Sequence, residues 1–394
     1  MAEVYHALGL HMHQPPDNLK LLIETNEWEA RQIILCYERP LRYAHRHKKV
    51  ARLNIGFSGI LLEQFTDSYI VDRYRHIIDI PQMLEAYREV ENIEWIGMGY
   101  FHPIFPLIPM EDWEFQLLRG KEKVKEVFGK EPRGFWPSEM AFCMEMIPAL
   151  RRCGYEYVVV DSVHVNAPGE ESRENIVYQP HLARYENHEI TIISRDRDIS
   201  NAQESGMDAK WFKNELANKT TRAGSPCLAT TWSDGENGGW FRQTSEEAGF
   251  WGYYFSPYMD KVESHEVAVT PIMISEYLNK NKPHGNVEVR TGAWNVGTTS
   301  GYDFSQWEGS ETQKKAMKEV WEISAHYHQL MEASTREGEG NPLKSKHLLK
   351  QAEEWILRAE TSCYFFWGDA WIPKVYKNIT QARHYLTKAE QLLH

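Results

Sequence analysis

Cysteine is scarce and scattered. The five residues (Cys36, Cys143, Cys153, Cys227 and Cys363) are odd in number and include no CxxC pair. Such spacing supports neither a zinc ribbon nor a disulfide framework. No run of about 18 apolar residues occurs, so no membrane-spanning helix is expected. Positive charge is in deficit, with 44 Lys and Arg against 56 Asp and Glu and a net charge of −12. Nucleic acid and anionic membranes both call for a basic footprint, so neither is expected as a partner. No GxGxxG or GxxxxGK[ST] string follows an apolar run, which leaves a dinucleotide or P-loop reading without a motif. The first residues lack the charged start and apolar run of a leader peptide, and a cytoplasmic setting is expected. No cofactor is called for, and oligomeric state is not readable.

Aromatic residues are what the chain has in quantity: 14 Trp, 20 Tyr and 15 Phe, 12% of the total. Most must fill a core, but aromatic faces also stack well on the C–H faces of sugar rings. Along the first 290 residues, short apolar runs alternate with amphipathic helical stretches. The runs are Val4–Leu10, Leu53–Phe57, Ile93–Met98, Gly134–Trp136, Tyr157–Val160, Ile190–Ser194 and Cys227–Thr231; Trp28–His45 and Asp112–Phe128 are helical stretches. Short strands separated by helices imply parallel pairing. Seven such units, with polar residues directly after each run, predict a (β/α)7 barrel over residues 1–305. From Glu311 onward the apolar spacing becomes helical, predicting a three-helix bundle over 306–394, its first break at the Gly-rich 337–342 and its last helix beginning near Pro373.

Reactive groups of α/β barrels sit just past the C-terminal ends of strands, and four stretches stand out there. His11 and His13 share one strand face and point together into the barrel mouth. They are suited to a metal, to sugar hydroxyls, or to each other in a polar pocket; a metal would need a third ligand such as His102 or a carboxylate. The loop from Gly97 to Pro109 carries His102 among prolines and aromatics. Glu139 follows Trp136 and Pro137, in an apolar setting that disfavours its charge. Asp234 and Glu236 bracket a glycine in a Gly-rich loop ending at Trp240. Taken singly, each stretch has a plain alternative: a rigid loop, a solvated Glu, an Asx-type turn.

In order along the chain, these stretches resemble glycoside hydrolase family 57, the α-amylase and 4-α-glucanotransferase group. The HxHQP motif is matched by His11, His13, Gln14 and Pro15. A G-x-L-L-E string is matched by Gly59, Leu61, Leu62 and Glu63. The third motif, a Glu close behind a Trp, is matched by Trp136 and Glu139, and the D-x-E string by Asp234 and Glu236. A fifth region resembles the stretch from Ser362 to Asp369 with Trp367, which lacks the Trp-His-Gly version of some members. The resemblance implies a retaining mechanism on α-glucans or maltooligosaccharides, with Glu139 as nucleophile and Asp234 as acid/base. It needs the two carboxyls about 5–5.5 Å apart, with Asp234 the more basic in the free enzyme. His11, His13, Glu63 and His102 would hold sugar hydroxyls; Trp136, Trp240 and Trp367 are the candidate stacking platforms. Asp198 reads either as a support behind the site or as an ion-paired strand end.

Hydrolysis and transfer share these residues, so 4-α-glucanotransferase and branching activity stand beside α-amylase-like cleavage of α-1,4 linkages. From other classes, a metal-dependent polysaccharide deacetylase would use His11 and His13 as ligands, and a non-catalytic maltooligosaccharide-binding protein would use the aromatics alone. The pair Glu139 and Asp234 speaks against the binder. The lack of a clear D-D plus H-x-x-x-H signature speaks against the deacetylase.

Overall fold

The computed structural model describes residues 3–169, 171–205, 207–238, 245–294, 304–335 and 342–393. Within them, seven parallel strands close into a barrel: Val4–Met12, Leu53–Phe57, Ile93–Gly97, Gly134–Phe135, Tyr157–Asp161, His188–Arg195 and Cys227–Asp234. Each pairs with the next, and the seventh returns to the first. All seven expected runs are strands. Val4–Met12 and Cys227–Asp234 continue past the runs read from apolar residues alone, carrying the polar His11 and Asp234 at their ends. The expectation passed over two strands added to this sheet and a separate antiparallel pair, Val165–Asn166 with Glu288–Val289. His181–Tyr185 pairs antiparallel with the sixth barrel strand, and Val269–Pro271 lies parallel to the start of the first.

Alternation along the first strand explains both its burial and its chemistry. Leu8, Leu10 and Met12 point outward into the apolar layer under the surrounding helices. Ala7, Gly9 and His11 take the opposite, inward face. A Cβ on Gly9 would lie 1.9 Å from the ring of Trp232, so the seventh strand's tryptophan fills the space that glycine leaves. The barrel is thus plugged by Trp136, Trp232 and Trp294, all buried in one cluster with Ile96 and Val159.

The helical stretches fall close to expectation. Glu27–Arg46 starts at Asn26, whose side chain accepts from the Glu29 N–H at 3.2 Å. It buries Ile33, Ile34, Tyr37 and Leu41 against the barrel. The long C-terminal helices are Glu311–Thr335, Pro342–Ala359 and Ile372–Leu393. Ala316, Val320, Ile323, Ala352, Ile379 and Leu386 share one buried cluster, which Ile104, Ala141 and Ala293 of the barrel loops join. The Gly-rich 337–341 lies outside the described residues. Between the second and third long helices sits a short one, Ser362–Phe366, that three-helix periodicity did not call for. It brings the helical segment to the barrel mouth. Among the described residues, no helix is long and apolar enough to cross a membrane.

Candidate active site

In parallel register, His11 of the first strand stands opposite Asp234, the last residue of the seventh. Their side chains meet, with His11 Nδ1 2.7 Å from Asp234 Oδ1. The ring's other nitrogen, Nε2, lies 2.8 Å from Nε2 of His102, whose Nδ1 lies 2.8 Å from Ser362 Oγ. His102 Nε2 is also 4.0 Å from Oε1 of Glu139. The two carboxyls named from the sequence therefore flank one pair of imidazoles. Glu139 and Asp234 keep 25% and 33% of their side-chain surface open, so both face the cleft.

Each group is held by a local device. His102 takes a left-handed backbone, φ +60°, in the loop of prolines and glycines. Its carbonyl accepts from Ser362 N–H at 3.0 Å, and Pro103 bridges Thr361. Glu139 (φ +56°) and Met140 (φ +53°) are also left-handed, a costly conformation for residues with a side chain. Trp294 pins this turn twice. Its backbone N–H donates to the Glu139 carbonyl at 2.9 Å, and its indole N–H donates to Glu139 Oε2 at 2.7 Å.

The remaining predicted residues are distributed as follows. His13 Nδ1 meets Ser58 Oγ at 2.8 Å, where Ser58 also caps the helix Gly59–Thr66. His13 Nε2 lies 3.1 Å from Cys363 Sγ. Trp136 is 0% exposed and stacked against His11, ring centroids 4.3 Å apart, so contrary to expectation it offers no face to a sugar and instead supports His11 from behind. Glu63 is turned to the rim, near Arg358 and accepting from the Tyr100 hydroxyl, and has no contact with the carboxyl pair. Trp367 is 56% exposed, four residues beyond Cys363 and beside Trp371. Trp240 lies outside the described residues. Asp198 is an exposed residue of a helix's first turn, ion-paired with Lys219 at 2.8 Å.

Sequence reasoning did not place Tyr37, Arg195 or Trp294. Tyr37 donates to the buried carboxyl of Glu236, which also accepts from His13 N–H at 3.4 Å. Arg195 is fully buried, bonded to Asp161 at 3.1 Å and to the Trp232 carbonyl at 2.9 Å. Its guanidinium sits 5.3 Å from the Trp294 ring. The charged stretch from Arg195 to Asp198 was a signal, but for Arg195 rather than Asp198. Trp294 carried none.

Burial pushes Glu139 up to about 7, the Asp234 charge adds to this, and the Trp294 N–H opposes it. Burial likewise raises Asp234 to about 7 against the positive field of Arg195. Glu236 is pushed up to about 8 by burial and then by Asp234, with the Tyr37 hydroxyl opposing. Glu139 and Asp234 are thus both raised to about 7. Asp234 interacts with both Glu139 and Glu236, so its ionisation raises each of them. His11 is lowered to about 3 by burial; His13 is held well below its ordinary value by burial, then His102 and His11, and His102 by burial, then His11. All three are neutral at pH 7.

The nearest approach to a metal-ligand set among the described residues is His13, His102 and Cys363, whose ligand atoms lie within 4.8 Å of one another. The rings of His13 and His102 are stacked, their centroids 3.9 Å apart and their planes 10° from parallel. Imidazole lone pairs lie in the ring plane, so parallel stacked rings do not converge on one ion. A tetrahedral ion at about 2.0–2.3 Å from each ligand would require them to swing apart.

Residues 7–290 match the family model for glycosyl hydrolase family 57. The chain belongs to that family. It is 23% identical over 301 residues to alpha-amylase 1 of Dictyoglomus thermophilum, covering 74% of this chain and 40% of that protein. It is 24% identical over 325 residues to a 4-alpha-glucanotransferase of Thermococcus litoralis, covering 82% of this chain and 44% of that protein. The family-57 chain thus spans under half the length of these curated relatives. Its fold is shared with solved structures. A GH57-type branching enzyme from Pyrococcus horikoshii superposes with a TM-score of 0.73 at 17% identity, over 98% of this chain and 88% of that one. The 4-alpha-glucanotransferase from Thermococcus litoralis gives 0.67 at 20% identity, over 98% and 60%.

Proposed function

We propose that this family-57 protein is a retaining glycoside hydrolase acting on α-glucans, with α-1,4 cleavage as its reaction, Glu139 as nucleophile and Asp234 as acid/base. The observation that carries this reading is the placement of two cleft-facing carboxyls on either side of the His11–His102 pair, each with a raised affinity for a proton. The relatives named as alpha-amylase and 4-alpha-glucanotransferase support the substrate class.

Protonated Asp234 gives its proton to the glycosidic oxygen as the C–O bond breaks. The Glu139 carboxylate, oriented by the Trp294 indole, attacks the anomeric carbon and forms a glycosyl ester. Ionised Asp234 then takes a proton from water, whose oxygen displaces Glu139 and restores both groups. With a sugar hydroxyl in place of water, the same step is transfer. Once ionised, Glu139 raises Asp234 further and keeps it protonated for the first step. His11 and His13 keep a little open surface and form the polar wall against which the sugar lies, with His102 and Trp136 fully buried behind them; Trp367, which is exposed, offers a ring face to a neighbouring unit. We assign residues 1–305 to the catalytic barrel and 306–394 to the helical bundle that closes one side of its mouth.

The test compares wild type with Glu139→Gln and Asp234→Asn on maltoheptaose, products separated by chromatography, with and without EDTA. Shorter sugars from wild type alone, indifferent to EDTA, are expected; longer sugars among them would assign transfer. Full activity in either variant, or loss with chelator, refutes the two-carboxyl mechanism and favours a metal-dependent one.

A further inference from the structure

The acid/base carboxyl has only one protein hydrogen bond among the described residues, from His11 to Oδ1; Oδ2 has none. What stands behind that bond follows from counting donors. An ionised carboxylate can only accept, so when Asp234 is ionised, His11 Nδ1 must carry hydrogen. A neutral imidazole has one N–H, so His11 Nε2 is then bare. The nitrogen 2.8 Å away, His102 Nε2, must donate to it, since two bare nitrogens would repel at that distance. His102 Nδ1 is bare in turn, and the 2.8 Å contact to Ser362 is satisfied only if the Ser362 hydroxyl donates.

We propose that Ser362, from the short helix outside the barrel, is a positioning residue for the acid/base Asp234, acting through His102 and His11 as a one-directional chain of donors. This rests on the assignment of Asp234 above. The chain runs Ser362 Oγ–H to His102 Nδ1, His102 Nε2–H to His11 Nε2, and His11 Nδ1–H to Asp234 Oδ1. Its consequence is to keep Oδ1 an acceptor in both charge states, so the transferable proton sits on Oδ2, the oxygen free to face substrate. Ser362 is suited to the far end: it is 2% exposed, and its own N–H is tied to the His102 carbonyl at 3.0 Å. It also lies beyond the residues matched by the family model, which end at 290.

Neutron diffraction from deuterium-exchanged crystals of the whole chain, held above pD 8, reads the chain directly and needs no activity. Deuterium is expected on His11 Nδ1, His102 Nε2 and a Ser362 hydroxyl aimed at His102. Deuterium on His11 Nε2, alone or together with Nδ1, overturns the proposal. The kinetic arm compares Ser362→Ala with Ser362→Thr, which keeps a hydroxyl. Without that hydroxyl, His102 is free to reverse and His11 turns a bare nitrogen toward Asp234, which then holds its proton more tightly. The basic limb of kcat/KM on maltoheptaose should move up by about 0.5–1 pH unit in the alanine variant, KM unchanged, and stay put in the threonine variant. Glu139, Glu236 and Arg195 also act on Asp234 and are the same in both variants, so their influence cancels. An unmoved limb in Ser362→Ala, or an equal shift in both variants, overturns the role. Inactive wild type with the expected deuterium pattern would instead remove the proposed reaction and leave the chain standing.

Discussion

Replacing Trp294 with Phe isolates the device that makes Glu139 a nucleophile. The ring stays against Trp136, at a centroid distance of 5.2 Å, while the indole N–H at 2.7 Å from Oε2 is lost. A hydrogen bond to a charged group contributes about 1.5–3 kcal/mol, and one pKa unit corresponds to about 1.4 kcal/mol. Glu139, already raised to about 7, should therefore rise by about 1–2 further units. At pH 7 its ionised fraction falls from about one half to about 1–10%, so kcat/KM drops about 5- to 50-fold. The sign is specific: Glu139 must be ionised to attack, so the acid limb of the profile moves to higher pH and the loss shrinks as pH is raised. The assay is kcat/KM for maltoheptaose from pH 5 to 9. Melting curves accompany it, because the smaller ring costs roughly 0.5–3 kcal/mol of stability. An unmoved acid limb, or the same loss factor at every pH, would show that the indole does not govern the Glu139 charge.

A second prediction concerns His6, buried away from the carboxyls between Tyr258 and Thr231 and lowered by burial to about 3. Its folded value lies below the unfolded one, so the unfolded chain takes up the proton first and wild type loses stability as pH falls from about 6.5 toward 3, by up to about 1.4 kcal/mol per unit. His6→Asn should remove that slope in urea unfolding, closing the stability gap to wild type as pH falls; parallel curves for the two proteins would refute it. Trp367→Ala is expected to leave the melting temperature unchanged, since the ring is exposed, while raising KM for maltoheptaose about 5- to 10-fold with kcat little altered. An unaltered KM would remove Trp367 from the substrate path.

The sequence was legible where a residue's role depends on its neighbours in the chain. Parity along Val4–Met12 puts His11 on the inward face, and the Trp-Pro turn puts Glu139 in an apolar setting; both hold in the structure. The seven apolar runs marked seven strands because a buried parallel strand needs little more than a short apolar run. The added strands His181–Tyr185 and Val269–Pro271 escaped notice because each is partly exposed and lacks such a run. What stayed hidden in the site depends on partners far away: Trp294 meets Glu139 across 155 positions, Tyr37 meets Glu236 across 199, and Ser362 meets His102 across 260. No periodicity marks a tryptophan or a serine for such a contact. Closure of the barrel and docking of the helices decide it.

The same long-range contacts explain why the site tolerates unfavourable backbone. His102, Glu139 and Met140 are all left-handed without being glycine, each at a cost on the order of 1–3 kcal/mol. Glycine would relieve the strain at position 139 but would remove the carboxyl, so the cost is tied to the chemistry. The turn is held from outside by the Trp294 backbone and by the bridge between Phe142 and Gly292, and the His102 loop by the Ser362 backbone and the bridge between Pro103 and Thr361. Both restraints come from segments late in the chain that pack on the barrel mouth. The seven strands, with a buried core of their own, supply the stability against which this strain is set. The helical segment therefore does more than cover apolar surface: through Thr361 and Ser362 it holds one side of the reactive pair in place, and losing that hold would loosen the site before it loosened the barrel.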